Sequence, residues 1–318
     1  MKKNYLKIAA VLIIVGALAF GFNQARKKQS ADIASSGPGS SQMTGNDNAS
    51  KPFSFAIIGD TKVFSANNPN GNLQKAVQSI IKDNVDFSFV MGDLVSSCDG
   101  GISCERKYDD WKRVMMLLLS KTYEVVGNHD RTGGAAADTV WQKEFDLPTN
   151  GPDGFSELSY SFDFSNSHFV VLDSEKPKTH LVDSIQRDWL EKDLSANKKE
   201  NIFVFFHEPA FQTSQNKKDG LDAIPSERDF LWNILNKYHV KAVLNGHEHI
   251  FTRKKIGDMY QIVVGDTDSA NDDIPEPELS DYGYKGKTFA IVYVDGKNIN
   301  LKLYSVAGDL INAVDLFN

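Results

Sequence analysis

The sequence predicts an α/β fold in which two mixed β-sheets are each covered on the outside by helices, a four-layer α/β/β/α sandwich. Apolar runs alternate with segments of helical periodicity from residue 53 to residue 126, and several of these runs end in glycine followed by a polar residue. The last third of the chain consists almost entirely of strand-like segments. Alternating strands and helices favour parallel pairing through right-handed crossovers, whereas consecutive strands favour hairpins.

The first predicted element is a buried strand at Phe53–Ile58, followed by an amphipathic helix at residues 72–82, where Leu73, Val77 and Ile80 recur at helical spacing. Strands are then expected at 87–91 and 123–126, and helices at 111–119 and 141–145. A hairpin is expected from residues 158–164 and 168–172.

The second half is predicted to contain helices near residues 185–194 and 230–238, each followed by a short apolar strand, at 202–206 and 242–244. Four more strands are expected at 260–264, 288–294, 299–304 and 310–314, with Asp295-Gly296 as a hairpin turn. Motifs scattered from Asp60 to His249 must meet in space, which favours one domain.

Charge and composition exclude one class of binding partner. The 318 residues are 41% hydrophobic and 24% charged, as is usual for a globular protein, and the net charge is −7 with a pI near 5.5. Such an acidic chain lacks the basic face that binding to a nucleic-acid backbone requires. We therefore expect no nucleic-acid partner.

The N-terminus differs from the rest of the chain. Residues 8–22 carry no charge and lie between Lys2-Lys3 and Arg26-Lys27-Lys28, and as a helix they would cover about 22 Å. We expect residues 1–28 to be a signal peptide or a membrane anchor, residues 29–50 a flexible linker, and residues 51–318 the folded domain. The domain would then lie outside the cytoplasm, anchored to the membrane or secreted after cleavage.

The only two cysteines, Cys98 and Cys104, are separated by a short segment that contains Asp99-Gly100-Gly101. A disulfide is favoured over a pair of soft metal ligands, since further cysteines are lacking and an exported domain meets an oxidising compartment.

Polar side chains follow five of the predicted strands. They are Asp60 and Asp93, each after a glycine; Asn128, His129 and Asp130 after Gly127; His207; and His247 and His249 in Gly246-His247-Glu248-His249. Carboxylate, amide and imidazole groups would converge at the carboxyl edge of the sheets, where α/β proteins bind ligands. The pattern predicts a dinuclear metal centre.

The five blocks in this order resemble the calcineurin-like metallophosphoesterases, and residues 246–253 are similar to the purple-acid-phosphatase branch. The resemblance implies hydrolysis of a phosphate ester by two divalent or trivalent metal ions, Fe, Mn or Zn, with a metal-bridging water as the nucleophile. The implied first-metal ligands are Asp60, Asp93 and His249, and the implied second-metal ligands are Asp93, Asn128, His207 and His247. His129, oriented by Asp130, would be the general acid.

Two positions depart from the family pattern. Lys62 stands where most members carry a metal-binding histidine, and Ser96 stands where purple acid phosphatases carry a tyrosine ligand. A protonated lysine cannot ligate a metal, so the first metal has fewer ligands or Lys62 binds the substrate phosphate.

Arg131 and Asn128 are further candidates for substrate binding, and Glu208, Asp266 and Asp268 are candidates for supporting roles or are solvated loop charges. An alternative hypothesis is a noncatalytic domain that binds a phosphate ligand or a partner on the same scaffold. The sequence does not distinguish a monoester from a diester substrate, and it carries no information on oligomeric state.

Overall fold

The computed structural model describes residues 51–62, 71–216, 218–268, 273 and 279–318. Its strands are β1 (Phe53–Ile58), β2 (Phe87–Val90), β3 (Thr122–Glu124), β4 (Tyr160–Phe164), β5 (Ser167–Val171), β6 (Asn201–Phe205), β7 (Ala242–Asn245), β8 (Phe251–Ile256), β9 (Met259–Val263), β10 (Tyr282–Tyr284), β11 (Thr288–Asp295), β12 (Asn298–Ser305) and β13 (Leu310–Phe317). Its α-helices are α1 (Gly71–Lys82), α2 (Ile102–Met115), α3 (Ala135–Glu144), α4 (Ser184–Ala196) and α5 (Pro225–Lys237).

The strands form two mixed sheets. The first has the order β13-β12-β11-β1-β2-β3, and the second has the order β10-β8-β9-β7-β6-β5-β4. The pairs β1/β2 and β2/β3 are parallel in the first sheet, as are β5/β6 and β6/β7 in the second. The prediction of an α/β fold with two mixed sheets is confirmed. The carboxyl ends of β1, β2 and β3 share one edge, and so do those of β6 and β7.

A layer of phenylalanine rings fills the space between the sheets. Phe89 of β2 stacks on Phe205 of β6 with ring centroids 3.8 Å apart, and Phe55 meets Phe203 edge-on. On the other face of the second sheet, Leu190 and Leu231 belong to a separate apolar cluster together with alternate strand residues. Burial on both faces explains why these strands read as continuous apolar runs.

Most predicted strands lie within a few residues of their observed bounds, whereas three helices begin earlier than predicted, α2 at Ile102, α3 at Ala135 and α5 at Pro225. The helix expected at 111–119 is α2, which begins at Ile102 and ends at Met115, because Cys104, Tyr108, Trp111 and Met115 form its buried stripe. The residues after it form a short 3-10 turn instead. The sequence does not predict the bounds of strands β8 and β10, because their sequences alternate weakly and contain charged residues or glycine.

The expected signal peptide or anchor at 1–28 and the expected linker at 29–50 lie outside the described residues. Within the described residues, no helix has the length and apolarity needed to cross a bilayer. Residues Ala49–Asn318 form one compact unit by their internal contacts.

Candidate metal centre

Loops that follow strands of both sheets carry the predicted site residues. Asp60 follows β1, Asp93 follows β2, and Asn128 follows β3. From the second sheet, His207 follows β6 and His247 follows β7. Backbone bonds link neighbouring loops within each set, since the Gly246 amide donates to the His207 carbonyl and the Thr61 amide to the Asp93 carbonyl.

Four of these loop residues have left-handed backbone conformations that side chains with a Cβ rarely adopt. The φ angles are 24° at Asp60, 33° at Lys62, 53° at Asp93 and 70° at His247. Such conformations cost roughly 1–3 kcal/mol each and cluster at functional sites, where the surrounding structure holds them.

Glycine is required where two of the loops approach each other. A Cβ on Gly92, whose φ is +89°, would lie 2.4 Å from Nδ1 of His207. A Cβ on Gly127 would lie 2.5 Å from Oδ1 of Asp93. These two glycines let the loops bring the side chains together.

Three atoms with lone pairs face one another at the centre of the site. Nδ1 of His207 lies 2.6 Å from the carbonyl oxygen of Met91, which can only accept, so Nδ1 carries the proton and Nε2 is bare. That Nε2 lies 3.0 Å from Oδ1 of Asn128 and 3.4 Å from Oδ1 of Asp93. We call these three atoms the acceptor cluster. With these assignments no proton joins Nε2 to either oxygen, and all three atoms could bind one cation.

Burial keeps the imidazole of His207 neutral, lowering its pKa to about 3. Burial also raises the pKa of Asp60 well above its ordinary value, with the Asp93 carboxylate adding to the effect. One ligand atom from each of Asp60, Asp93 and His207 lies within 4.8 Å of the others. These are the separations expected of side chains that share a metal ion.

A lysine lies beside this cluster. Nζ of Lys62 is 2.8 Å from Nε2 of His249 and 3.3 Å from Oδ2 of Asp93. On its other side, the His249 ring has Nδ1 3.4 Å from Oδ2 of Asp266, and Nε2 is 3.7 Å from Oδ1 of Asp60. Lys62 and His249 therefore form part of one buried network of charges.

His247 borders the acceptor cluster through its ring and its backbone. Its ring centroid is 5.1 Å from that of His207, and its amide donates to Oδ2 of Asp60 at 2.9 Å. Nε2 faces Oδ2 of Asp219 at 3.6 Å. Although burial opposes protonation, the nearby Asp219 carboxylate raises the pKa of His247 to about 9.

His129 is the most exposed of the histidines at this edge, with 38% of its side chain open to solvent. Its amide donates to Oδ1 of Asp93 at 2.9 Å, and its Nδ1 donates to the carbonyl of Ser96 at 2.6 Å. Nε2, 3.8 Å from Oδ2 of Asp93, is therefore the nitrogen that can exchange a proton with a bound molecule.

The expectation that Asp130 orients His129 is wrong. Ser96 fixes the His129 ring, whereas the Asp130 carboxylate accepts hydrogen bonds from the amides of Gly127, Leu94 and Val95. Burial raises the pKa of Asp130 to about 8, and these backbone bonds act in the opposite direction. Asp130 ties the two ligand loops together instead of touching the reacting groups.

The guanidinium group of Arg131 is bound to other groups of the protein. Its Nε and Nη2 donate to the two carboxylate oxygens of Asp138 at 2.6 and 3.2 Å, and Nη1 donates to the Glu175 carbonyl at 2.6 Å. We therefore do not place Arg131 on the substrate.

A disulfide joins Cys98 and Cys104, whose Cα atoms are 4.7 Å apart. The Cys98 amide donates to the His129 carbonyl at 2.8 Å, and the Thr132 hydroxyl donates to the Cys98 carbonyl at 2.7 Å. The cross-linked loop thus supports the segment that carries His129.

Some residues of the site had no signal in the sequence. The carbonyls of Met91 and Ser96 set the orientation of two histidines, and backbone groups cannot be identified from residue types. Asp219 lies in a loop without a motif, and only its contact with His247 identifies it.

Comparison with known proteins bears on the family and the fold. Residues 53–251 match the protein family described as calcineurin-like phosphoesterase. Purple acid phosphatase 23 of Arabidopsis thaliana is 23% identical over 229 residues, which cover 64% of this chain and 48% of the relative. Purple acid phosphatase 13 of the same plant is 30% identical over 176 residues, which cover 53% of this chain and 31% of that relative.

Among solved structures, purple acid phosphatase PPD1 from yellow lupin (Lupinus luteus) seeds superposes with a TM-score of 0.71 at 17% identity, covering 84% of this chain and 54% of that one. This likeness shows the fold. The chain spans about half or less of the length of these two curated relatives.

Proposed function

Because the chain belongs to the calcineurin-like phosphoesterase family, we propose that it is a metal-dependent hydrolase of phosphate esters. The observation that carries this proposal is the acceptor cluster, in which a bare Nε2 of His207 faces one oxygen of Asn128 and one of Asp93. Three electron-rich atoms at these distances are suited to share a cation. An acidic protein also needs metal charge to attract a phosphate ester.

The family implies divalent or trivalent metal ions, and two positions follow from the resemblance. The residues of the second position, Asp93, Asn128, His207 and His247, offer oxygen and nitrogen donors without thiolate, which suit Fe, Mn or Zn. The arrangement of Asp93, Asn128 and His207 supports a metal there, whereas Nε2 of His247 faces Asp219. A metal ion bound at this position would polarise a phosphoryl oxygen and lower the pKa of an attacking water.

The first position, expected from Asp60, Asp93 and His249, does not fit in the same way. Lys62 already donates to two of those three residues. We derive no step through a first metal.

The protein's own groups would supply positioning and a proton. The Ser96 carbonyl holds Nδ1 of His129, so that Nε2 is free to donate to the oxygen of the leaving group when the ring is doubly protonated. The Asn128 amide would orient the ester beside the metal. Asp130 keeps both of their loops in place through backbone bonds.

We further propose that the domain acts outside the cytoplasm, tethered by the uncharged segment at residues 8–22 or released after its cleavage. The buried disulfide between Cys98 and Cys104 supports an oxidising compartment. Fractionation of cells that express the full chain tests this location, and recovery of the protein only from the cytoplasm would contradict it.

A noncatalytic binding domain remains the second candidate, because Lys62 replaces an expected metal ligand. Hydrolysis of chromogenic phosphate mono- and diesters by the full-length chain, with added Mn²⁺, Zn²⁺ or Fe³⁺, separates the two functions. We expect turnover that a chelator abolishes and that Asn128→Ala lowers by more than about 100-fold, while the distant, exposed Leu117→Ala has no effect. Normal metal loading without hydrolysis of any ester would favour the binding domain.

A further inference from the structure

We propose that the ammonium group of Lys62 occupies the first metal position, so that the protein binds one exchangeable metal ion instead of two. This inference rests on the proposed function, since it concerns the metal content of the same site. Three observations support it: the contacts of Lys62, the backbone that holds this residue, and the difference between the first and second metal positions.

The contacts of Nζ are those expected of a bound cation. It lies 2.8 Å from Nε2 of His249 and 3.3 Å from Oδ2 of Asp93, and only 13% of the side chain is exposed. An ammonium group only donates, so Nε2 of His249 accepts and the ring proton is on Nδ1. Nδ1 faces Oδ2 of Asp266 at 3.4 Å, which agrees with this tautomer.

These contacts exclude a metal ion at the same place. Zinc and similar ions bind imidazole nitrogen and carboxylate oxygen at about 2.0–2.2 Å. A metal ion at that distance from Nε2 of His249 and Oδ2 of Asp93 would overlap Nζ of Lys62. The lone pair of Nε2 is also already used by the ammonium hydrogen, and two cations so close would repel each other strongly.

The backbone fixes Lys62 in this position. Its φ of 33° is in the left-handed region, which is unfavourable for a lysine. The amides of Thr61 and Lys62 both donate to the Asp93 carbonyl, at 3.0 and 2.8 Å, and the Trp111 indole donates to the Thr61 hydroxyl at 2.9 Å. The segment is thus held by hydrogen bonds that direct the side chain inward.

The first and second metal positions differ in the cation that the structure already places there. The carboxylates of Asp60, Asp93 and Asp266 are buried, and buried carboxylates need a nearby positive charge. Lys62 supplies one positive charge at the first metal position. The acceptor cluster on the side of His207 contains lone pairs of Asn128 Oδ1 and His207 Nε2 directed at each other, so an exchangeable ion belongs there.

An ammonium group in place of the first metal ion changes the chemistry available to the enzyme. An ammonium group attracts phosphoryl oxygens and stabilises Asp93, but it is no Lewis acid and cannot acidify a coordinated water. The one metal ion would therefore supply all the Lewis acidity, and Lys62 only a fixed charge. Binding of the substrate phosphate by Lys62 stays a prediction beside this structural role.

The test is the metal content of the full-length chain, purified in detergent and equilibrated with Mn²⁺. Elemental analysis gives the number of bound ions, and electron paramagnetic resonance separates an isolated Mn²⁺ from an exchange-coupled pair. We expect one equivalent and an isolated-ion spectrum for the wild type. We expect Lys62→His to bind two equivalents and to show a coupled spectrum, because imidazole restores a ligand and removes the charge.

A matched pair of histidine variants provides a readout that does not depend on the folding of Lys62→His. His207→Ala should weaken Mn²⁺ binding by more than about 100-fold, beyond the loss typical of outer-sphere partners, whereas His249→Ala should change it by less than about 3-fold. Circular dichroism checks that each variant folds.

Each contrary result has a definite meaning. Two equivalents of Mn²⁺ in the wild type, a 100-fold loss in His249→Ala, or one equivalent in folded Lys62→His would overturn the inference and leave the proposed hydrolase intact. No bound Mn²⁺, Zn²⁺ or Fe³⁺ in the wild type, together with no hydrolysis, would overturn the proposed function itself.

Discussion

Oδ2 of Asp130 accepts the amide hydrogen of Gly127 at 3.0 Å, so the carboxylate closes the loop that carries Asn128 and His129. Its Oδ1 accepts the Leu94 amide at 3.1 Å, next to Asp93. One buried side chain thereby joins two loops that provide candidate metal ligands.

Replacing Asp130 should therefore destabilise the protein. Asp130→Ala leaves the amides of Gly127 and Leu94 buried without acceptors, and we expect the free energy of unfolding to fall by about 3 kcal/mol. Urea denaturation followed by circular dichroism measures the change. A variant as stable as the wild type would show that the hydrogen bonds to Asp130 contribute little.

His129→Ala should affect chemistry and leave stability within about 0.5 kcal/mol, since the ring is partly exposed and its removal opens no large cavity. We expect kcat to fall by about 100- to 1,000-fold for an alkyl phosphate, whose leaving group needs a proton. For p-nitrophenyl phosphate, which has a good leaving group, the loss should be much smaller. Equal losses for both esters would contradict a general-acid role.

His168 should make stability depend on pH. Its Nδ1 lies 2.7 Å from Oδ1 of Asp163, and its Nε2 lies 2.7 Å from Oδ2 of Asp193 in α4. Burial alone would lower its pKa, but the hydrogen bonds to the two carboxylates raise it to about 9. In the unfolded chain the pKa of histidine is about 6.5.

Between these two pKa values the folded state holds a proton that the unfolded state releases, so stability should fall as pH rises from about 6.5 to 9. Because Asp163 is half exposed, we expect a loss of about 2 kcal/mol instead of the larger value for a fully buried site. Urea titrations of the wild type and His168→Gln at pH 6 and pH 9 measure this loss. Equal pH dependence in both proteins would exclude His168 as its source.

The sequence predicted the strand ends well because buried strands combine apolar runs with abrupt polar ends. Asp60, Asp93 and His207 are each at such an end, and the structure brings them within reach of one another. Helix α2 begins at Ile102 instead of the predicted residue 111, because the residues that start it are mostly polar and follow Gly100-Gly101. Its buried stripe depends on tertiary packing.

Residues adjacent in the sequence need not make the same contacts. Asp130 follows His129 directly, but in the 3-10 turn His129–Arg131 successive side chains point in different directions, so the two make no shared contact. The place of Lys62 depends on the Asp93 carbonyl, which lies 31 positions away in the sequence and accepts its amide hydrogen. Residue types alone do not show such long-range backbone bonds.

Anomalous X-ray diffraction from crystals of the protein grown with Mn²⁺ tests the central claim most directly, because it locates the ions. We predict a single strong peak between Asp93 Oδ1, Asn128 Oδ1 and His207 Nε2, with Nζ of Lys62 still in contact with Asp93 and His249. A pair of peaks with Lys62 displaced, or no peak at the acceptor cluster, would contradict the account.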